Sequence, residues 1–453
     1  MDLDGIKKIH FTGIGGAGMS VLAEAFCELG KQVTGSDAKD GPRVEQLRKK
    51  GIMISVPHSD EYLSGSDMLC FSSAVSENNV ERIKAQSSGI LQIRRGELMA
   101  HLLSLKKVIG IAGSHGKTTT TAFLASTLLD LGHDTTLVLG GQLKDALKNE
   151  QLKWGHDTVV AETDESDGTF LYVRPEHAII TNIDHEHIEH YGEFDLLLKA
   201  FEEYFVSVKN MPVVCGDNKY LMGMVDRVGR SCITYGFSPH NDIWACEIET
   251  SGFMTSFDVV RGGQSCGRFE INLSGKHNVL NALAVIAVCV LYDYPLDKIR
   301  PALKKFTGVK RRMEIRREAA GKIFIDDYAH HPTEIKATLD ALRGAIGNKK
   351  MVVLFQPHRY SRVKAAFDEF GCCFDKADKI LLTDIYSASE KEVPELNEKL
   401  FNHLSSKYPG KVVYYPRETF VCLAVDDISD SDYVISLGAG DINKALAELA
   451  DKV

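Results

Sequence analysis

Two glycine-rich loops limit most strongly what this chain can fold into, because each stands between an apolar strand-like run and a helix-like run. The first, Gly13-Ile14-Gly15-Gly16-Ala17-Gly18, follows KKIHFT and leads into MSVLAEAFCELG. The second, Gly113-Ser114-His115-Gly116-Lys117-Thr118-Thr119, follows KKVIGIA and opens a helix that Gly132 closes. Glycines in such a turn let backbone N–H groups face phosphate oxygens, and the helix N-terminus adds partial positive charge. Each loop therefore predicts a strand–loop–helix unit of a parallel sheet, with a phosphate site at the carboxyl edge of the strands.

The rest of the chain extends this pattern. Through residues 1–105, QVTGSD, IMISV, MLCFSSAV and ILQI are further short apolar runs separated by helical segments. A second stretch, 106–309, adds TTLVLGG, DTVVAETDESD and HAIITNID. Within it residues 243–274 change character. Trp244, Phe253, Phe257, Val259 and Phe269 sit in alternating runs broken at Ser251-Gly252 and Gly262-Gly263, which predicts a small antiparallel patch. A long helix is expected from about His277. A third stretch, 310–453, repeats strand and polar loop in KIFIDDYAHHP, KKMVVLFQPHR, KILLTDIY and DYVISLGAGD. The expected fold class is α/β in three domains, consistent with 453 residues at roughly 150 per domain. They are a Rossmann-like domain, a P-loop-type central domain carrying the antiparallel patch, and a Rossmann-like C-terminal domain.

Composition removes several classes of function. The formal charge is −9, so there is no basic footprint for nucleic acid. The ten cysteines are scattered without a CxxC pair, which fits a reduced, cytoplasmic setting. The longest apolar stretch, Val279–Tyr292, is interrupted by Asn281 and falls short of the roughly 20 residues of a membrane span, so no membrane insertion is expected. A monomer or weak homodimer is the expectation.

The second loop carries the more specific chemistry. Lys117 can bridge the β- and γ-phosphates of a nucleotide, and the Thr118 hydroxyl suits magnesium. The usual longer pattern would need glycine at 111, where the chain has Ile111. Glu162, Asp164, Glu165 and Asp167 crowd the end of a later strand, either as a solvated loop or as hard oxygen ligands for magnesium. His185, His187 and His190 do not make an H-E-x-x-H zinc site, because Glu189 stands at the second histidine's place. The first loop reads as G-x-G-x-x-G with Asp37 roughly 20 residues on, which on its own also fits an NAD-dependent oxidoreductase. Such an enzyme has no use for the second phosphate loop.

The shortened G-x-x-G-K-T loop resembles that of the Mur ligase and folylpolyglutamate synthetase superfamily, and other motifs narrow the resemblance to the Mur ligases. GIGGAGMS is similar to the loop that cradles their UDP-sugar diphosphate, which implies Gly13, Gly15, Gly16 and Gly18 for the diphosphate and Ser36, Asp37, Ser72 and Ser73 near the uridine. Arg94 and Arg95 in IRRGELMAHL are also family-like. The resemblance gives Gly113 to Thr119 to ATP, Thr118 and Glu162 to one magnesium ion, and His187 to a second. GKHNVLNA resembles the adenine-holding G-x-H-N-x-x-N-A, which implies His277, Asn278 and Asn281. In FTGVKRRME, Arg312 would reach the ATP, and Asp327 would lie on the nucleotide side. DDYAHHPTE and QPHRYSR are similar to the alanine-adding branch of the family, with Gly438-Ala439-Gly440-Asp441 as the last glycine loop. They imply Tyr328 and His358 for substrate, and His330, Arg359 and Arg362 at the amino acid and the acyl phosphate. The implied activity is ATP-dependent ligation of L-alanine to the lactyl carboxylate of UDP-N-acetylmuramate, in peptidoglycan precursor synthesis, with ATP and Mg2+. The alternatives are a ligase that attaches a recycled tripeptide to the same sugar nucleotide, or an inactive sugar-nucleotide binder. Intact Lys117, Glu162 and His187 argue against the latter.

Overall fold

The computed structural model describes residues 5–72, 74–139, 157–166, 168–185, 191–388 and 390–453. They form two compact units, one within Met1–Ile243 and Ala284–Ile299, the other within Trp244–Leu283 and Arg300–Val453.

The first unit contains two parallel arrays. One runs Met53–Ser55, Gln32–Ser36, Lys8–Thr12, Met68–Phe71, Leu91–Arg94. Its first strand in sequence is central, so crossovers leave it on both sides and a crevice opens at its carboxyl end. Gly13–Gly18 sits there, ahead of the helix Ala17–Glu28. The other array runs Ile233–Gly236, Pro212–Cys215, His177–Ile180, Lys107–Ala112, Thr158–Glu162, Thr135–Val138. Here too the strand that feeds a glycine loop, Lys107–Ala112, lies where the order reverses. Residues of both arrays, such as Phe11, Leu22 and Leu98 with Val108, Val159 and Val173, belong to one apolar core.

The second unit holds the antiparallel patch, with strands Ile243–Ser251, Met254–Arg261 and Gln264–Ile271. Phe257 and Phe269 face each other in register, buried, with rings 6.2 Å apart. Phe253 falls in the turn between two strands and not within one. The expected helix spans Lys276–Leu291, and its apolar run is buried inside the protein. Among the described residues no helix is long and apolar enough to cross a membrane. A third sheet runs Glu314–Ala319, Lys322–Asp327, Tyr433–Leu437, Met351–Phe355, Lys379–Leu382, Val412–Tyr414. All its pairs are parallel except the first. Tyr433–Leu437 and Met351–Phe355 are buried throughout, as central strands covered on both faces should be. Glu314–Ala319, four of whose six residues are exposed, is a charged edge strand.

Candidate active site

The second glycine loop is held open by its neighbours in the first unit. Gly113 has φ +129°, and a Cβ there would lie 2.2 Å from Thr181 Oγ1, so only glycine fits. The T-N-I-D segment braces the loop. Thr181 Oγ1 donates to the His115 carbonyl at 2.6 Å, Asn182 Oδ1 accepts from the His115 amide at 2.8 Å, and the Asp184 amide donates to Ser114 Oγ at 2.9 Å. The His115 ring lies 3.1 Å from Asp184 Oδ2. Gly116 turns the chain with φ +83° into the helix Lys117–Asp130, where Thr119 is buried in the first turn.

Lys117 and Thr118 then point to different partners. The Lys117 ammonium donates to Gly113 O at 2.7 Å and to Glu165 Oε1 at 2.8 Å. Burial opposes its charge, but Glu165, Asp164 and Glu162 hold it above the usual lysine range. Burial pushes the Glu165 carboxyl up to about 7 against the pull of Lys117. The Thr118 hydroxyl lies 3.1 Å from each carboxylate oxygen of Glu162. Oxygen donors from a helix and a strand end thus converge on one point, which fits a hard cation such as magnesium.

The first glycine loop is closed from behind. The Ser36 carbonyl accepts from Gly13 and Ile14 amides, both at 2.9 Å. The Ser36 side chain is fully buried, 2.7 Å from His58 Nδ1. That contact holds the hydroxyl expected near the uridine beside His58, while the carbonyl of the same residue anchors the loop. Asp37 Oδ2 accepts from the Gly15 amide at 2.8 Å, so the acid of the apparent dinucleotide fingerprint folds back on the loop. Ser72 abuts Gly13, 3.2 Å from where a Cβ would stand. Of the two arginines only Arg95 reaches the loop, its guanidinium 2.5 Å from the place of a Gly18 Cβ. Arg94 is exposed at the sheet edge. Gly18, Arg95, Glu162, Thr163 and Asp164 line one cavity of about 100 Å³, so both glycine-loop arrays contribute to a common space. Ser73, Asp167 and His187 lie outside the described residues.

The second unit gathers a different set. Asp327, which the resemblance places on the nucleotide side, is buried and accepts from the Met313 and Ala329 amides at 2.8 Å each. Burial pushes its carboxyl up to about 6, against Arg312. Arg311 turns inward to Gly438 O at 2.8 Å and Asp326 at 3.3 Å. Arg312 lies over the Tyr328 ring, 3.7 Å from Glu334. His277, desolvated and facing Arg312, is held down to about 4 and is neutral at physiological pH. Asn278 Nδ2 donates to Ser274 O at 2.8 Å, and Asn281 Nδ2 to Asn278 Oδ1 at 3.1 Å, both asparagines being buried.

Tyr328, His330 and His358 form a chain of edge-on rings, at 5.4 and 5.7 Å. His330 Nδ1 lies 2.9 Å from the Tyr328 carbonyl, so that nitrogen carries the proton in the neutral ring. Arg362 Nη1 donates to His358 Nδ1 at 3.1 Å. Burial, with His330, Arg362 and Arg359 nearby, pushes His358 down to about 3. Arg359 has φ +66°, a strained conformation for a side-chain-bearing residue, and its amide donates to Tyr386 O at 2.8 Å.

Family models match the chain in three consecutive stretches: Mur ligase family, catalytic domain, over 8–107; Mur ligase middle domain, over 111–289; and Mur ligase, glutamate ligase domain, over 311–440. A UDP-N-acetylmuramate–L-alanine ligase of Sorangium cellulosum is 40% identical over 450 residues, covering 98% of this chain and 96% of that one. The chain belongs to the Mur ligase family. The crystal structure of a UDP-N-acetylmuramate–alanine ligase from Thermotoga maritima matches this Mur ligase with a TM-score of 0.84 at 30% identity, over 98% of both chains. A murein peptide ligase from Psychrobacter arcticus shares the fold, with a TM-score of 0.70 at 22% identity over 99% of this chain and all of the other.

Three residues outside the expected site set join the Mur ligase site. Tyr386 stacks on His358 with rings 5.6 Å apart and 7° from parallel. Gln356 Oε1 accepts from the Asp441 and Ile442 amides at 2.9 and 3.1 Å, and its Nε2 donates to Asp441. Arg417 grips the same Asp441 through two nitrogens, each at 3.1 Å. A Cβ on Gly440 would lie 2.4 Å from Gln356 Oε1, which gives the last glycine of the G-A-G-D loop a steric reason. Gln356 stood inside a motif and could have been read. Tyr386 and Arg417 lie in loops with no local pattern.

Proposed function

We propose that this Mur ligase joins L-alanine to the lactyl carboxylate of UDP-N-acetylmuramate with ATP, through an acyl phosphate. Identity of 40% over nearly the whole chain to ligases of that specificity carries the reading. In it, residues 1–105 hold the sugar nucleotide, 106–309 hold ATP and magnesium, and 310–453 serve the amino acid. The protein works in the cytoplasm as a monomer or weak homodimer.

The chemistry follows from the residues. The lactyl carboxylate attacks the γ-phosphorus of ATP and ADP leaves. The amine of L-alanine then attacks the acyl carbon, phosphate leaves, and the amine loses a proton. The amides of the Gly113–Lys117 loop and the Lys117 ammonium hold the negative charge on the transferring group, and positioning supplies most of the catalysis. Glu162 and Thr118 would hold one magnesium ion, with His187 as a candidate for a second, and the metal when bound would neutralise phosphate charge. Arg95 and the Gly13–Gly18 loop bind the diphosphate of the sugar nucleotide. His330, with its lone pair on Nε2 when neutral, can take the proton of the incoming amine. Arg359 and Arg362 clamp carboxylate and phosphate oxygens.

Glu162→Ala is expected to cripple turnover and to raise the magnesium concentration needed for half-maximal rate, measured by phosphate release across a magnesium titration. Undiminished turnover after chelation of divalent ions would remove the metal from the reading. The substrate pair is tested by supplying L-alanine, L-serine, glycine or the recycled tripeptide with the sugar nucleotide and ATP, and recording product mass and initial rate. One methylene or hydroxyl changes discrimination by only roughly 1–3 kcal/mol, so serine and glycine are expected as slower substrates. A faster rate with the tripeptide would place the enzyme in the recycling branch.

A further inference from the structure

Glu165 is a member of the acidic run to which the mechanism above gives no task. It is fully buried, and its backbone is fixed: its carbonyl accepts from Tyr191 Oη at 2.6 Å and from the Gly168 amide at 3.0 Å. Its carboxylate accepts from Lys117, whereas that of Glu162 accepts from Thr118. An ammonium has three N–H donors. Lys117 Nζ faces three acceptors: Gly113 O at 2.7 Å, Glu165 Oε1 at 2.8 Å and Ser114 O at 3.4 Å. The first two are full hydrogen bonds, while the third is longer than such bonds usually run.

We propose that Glu165 is a positioning residue for Lys117, anchoring the ammonium together with Gly113 O so that the donor now spent on Ser114 O is the one presented to a phosphate oxygen of ATP. This rests on the reading of the loop as the ATP site. Two consequences distinguish it from a role in packing alone. The negative charge of Glu165 opposes that of the phosphates, so it tempers ground-state affinity for nucleotide. The same charge fixes where the ammonium stands when the phosphoryl group transfers. Loss of the charge at constant shape should therefore separate affinity from rate.

Glu165→Gln keeps the size and one acceptor oxygen but removes the charge. The expected result is a kcat lowered by at least about tenfold, with ADP binding measured by calorimetry equal to or tighter than in the unaltered enzyme. Wild-type kcat, or an ADP affinity that falls in step with kcat, would overturn the inference. Should the glutamine variant fail to fold, Glu165→Asp keeps the charge at a shorter reach. It is expected to lower kcat with little change in ADP affinity, and wild-type kcat there overturns the inference equally. Lys117→Ala run in parallel separates the two readings. An inactive Lys117→Ala beside an unaffected Glu165→Gln defeats the positioning role alone, whereas an active Lys117→Ala defeats the assignment of the loop.

Discussion

Lys117→Ala is expected to cut ATP-dependent phosphate release by at least about a hundredfold, the scale on which a preorganised donor to transition-state charge acts. The lysine is the one ammonium or guanidinium among the described residues of the loop, whose other donors are hydroxyls, an imidazole and backbone amides. The variant should still fold, with a particular pH signature. Removing the ammonium leaves Glu165 buried beside Asp164, and a buried carboxylate robbed of its partner costs roughly 3–5 kcal/mol if it stays charged. It need not stay charged. Burial pushes this carboxyl up to about 7 even with Lys117 in place, and the lysine is the main influence holding it down. A carboxyl raised in the folded state contributes stability that is present below its unfolded pKa and lost as pH rises through the folded one. The melting temperature of Lys117→Ala should therefore lie nearest that of the unaltered enzyme in mildly acid buffer, and fall away from it as the pH passes above about 7. Thermal melts over that range, with phosphate release at each pH, check both halves. Near-normal phosphate release would sink the assignment of Lys117 to ATP, whatever the melts show.

The parts of this architecture that the sequence made legible share one physical cause. Val108–Ala112 and Met351–Phe355 are buried throughout, so they read as apolar runs, and each stops where polar or glycine residues begin. Glu314–Ala319 escaped because an edge strand needs no apolar face, and EIRREA looks like solvated chain. At the site, a glycine loop states its own geometry, but the side a neighbouring residue faces does not show in its identity. Ser36 and Arg94 carry the same expectation at the sugar nucleotide, but the first is buried beside His58 and the second is exposed on an edge strand. Glu165 could not be told from Glu162 within one acidic run, because only the fold reveals that the two carboxylates serve different neighbours, Lys117 and Thr118. His58 and Tyr386 come from loops whose sequence carries no periodicity to read.

Arg362→Ala is expected to lower kcat by about a hundredfold to a thousandfold, and Arg362→Lys to recover little of it. The guanidinium has two tasks in one place. One nitrogen donates to His358 Nδ1 at 3.1 Å, and that bond exists only while the ring is neutral at this nitrogen. Burial first, then His330, Arg362 and Arg359, keep the ring from taking a proton by pushing it down to about 3. The remaining donors of the fork are left for carboxylate or phosphate oxygens, which a planar guanidinium can meet two at a time. A lysine ammonium is a point donor on a flexible stem. It can restore the charge but not the fork. Removing Arg362 also removes one of the charges that hold His358 down, so the ring should protonate at higher pH in the alanine variant. A raised imidazole pKa appears as an acid limb of the rate profile shifted upward. The KM for ATP should stay within about threefold of the unaltered value, because Lys117 and the Gly113–Thr119 loop are untouched. Initial rates with L-alanine from mildly acid to mildly alkaline pH, together with a melting curve to confirm the fold, test the whole set. A kcat for Arg362→Ala close to that of the unaltered enzyme would remove Arg362 from the acyl-phosphate site and leave it as a support for His358.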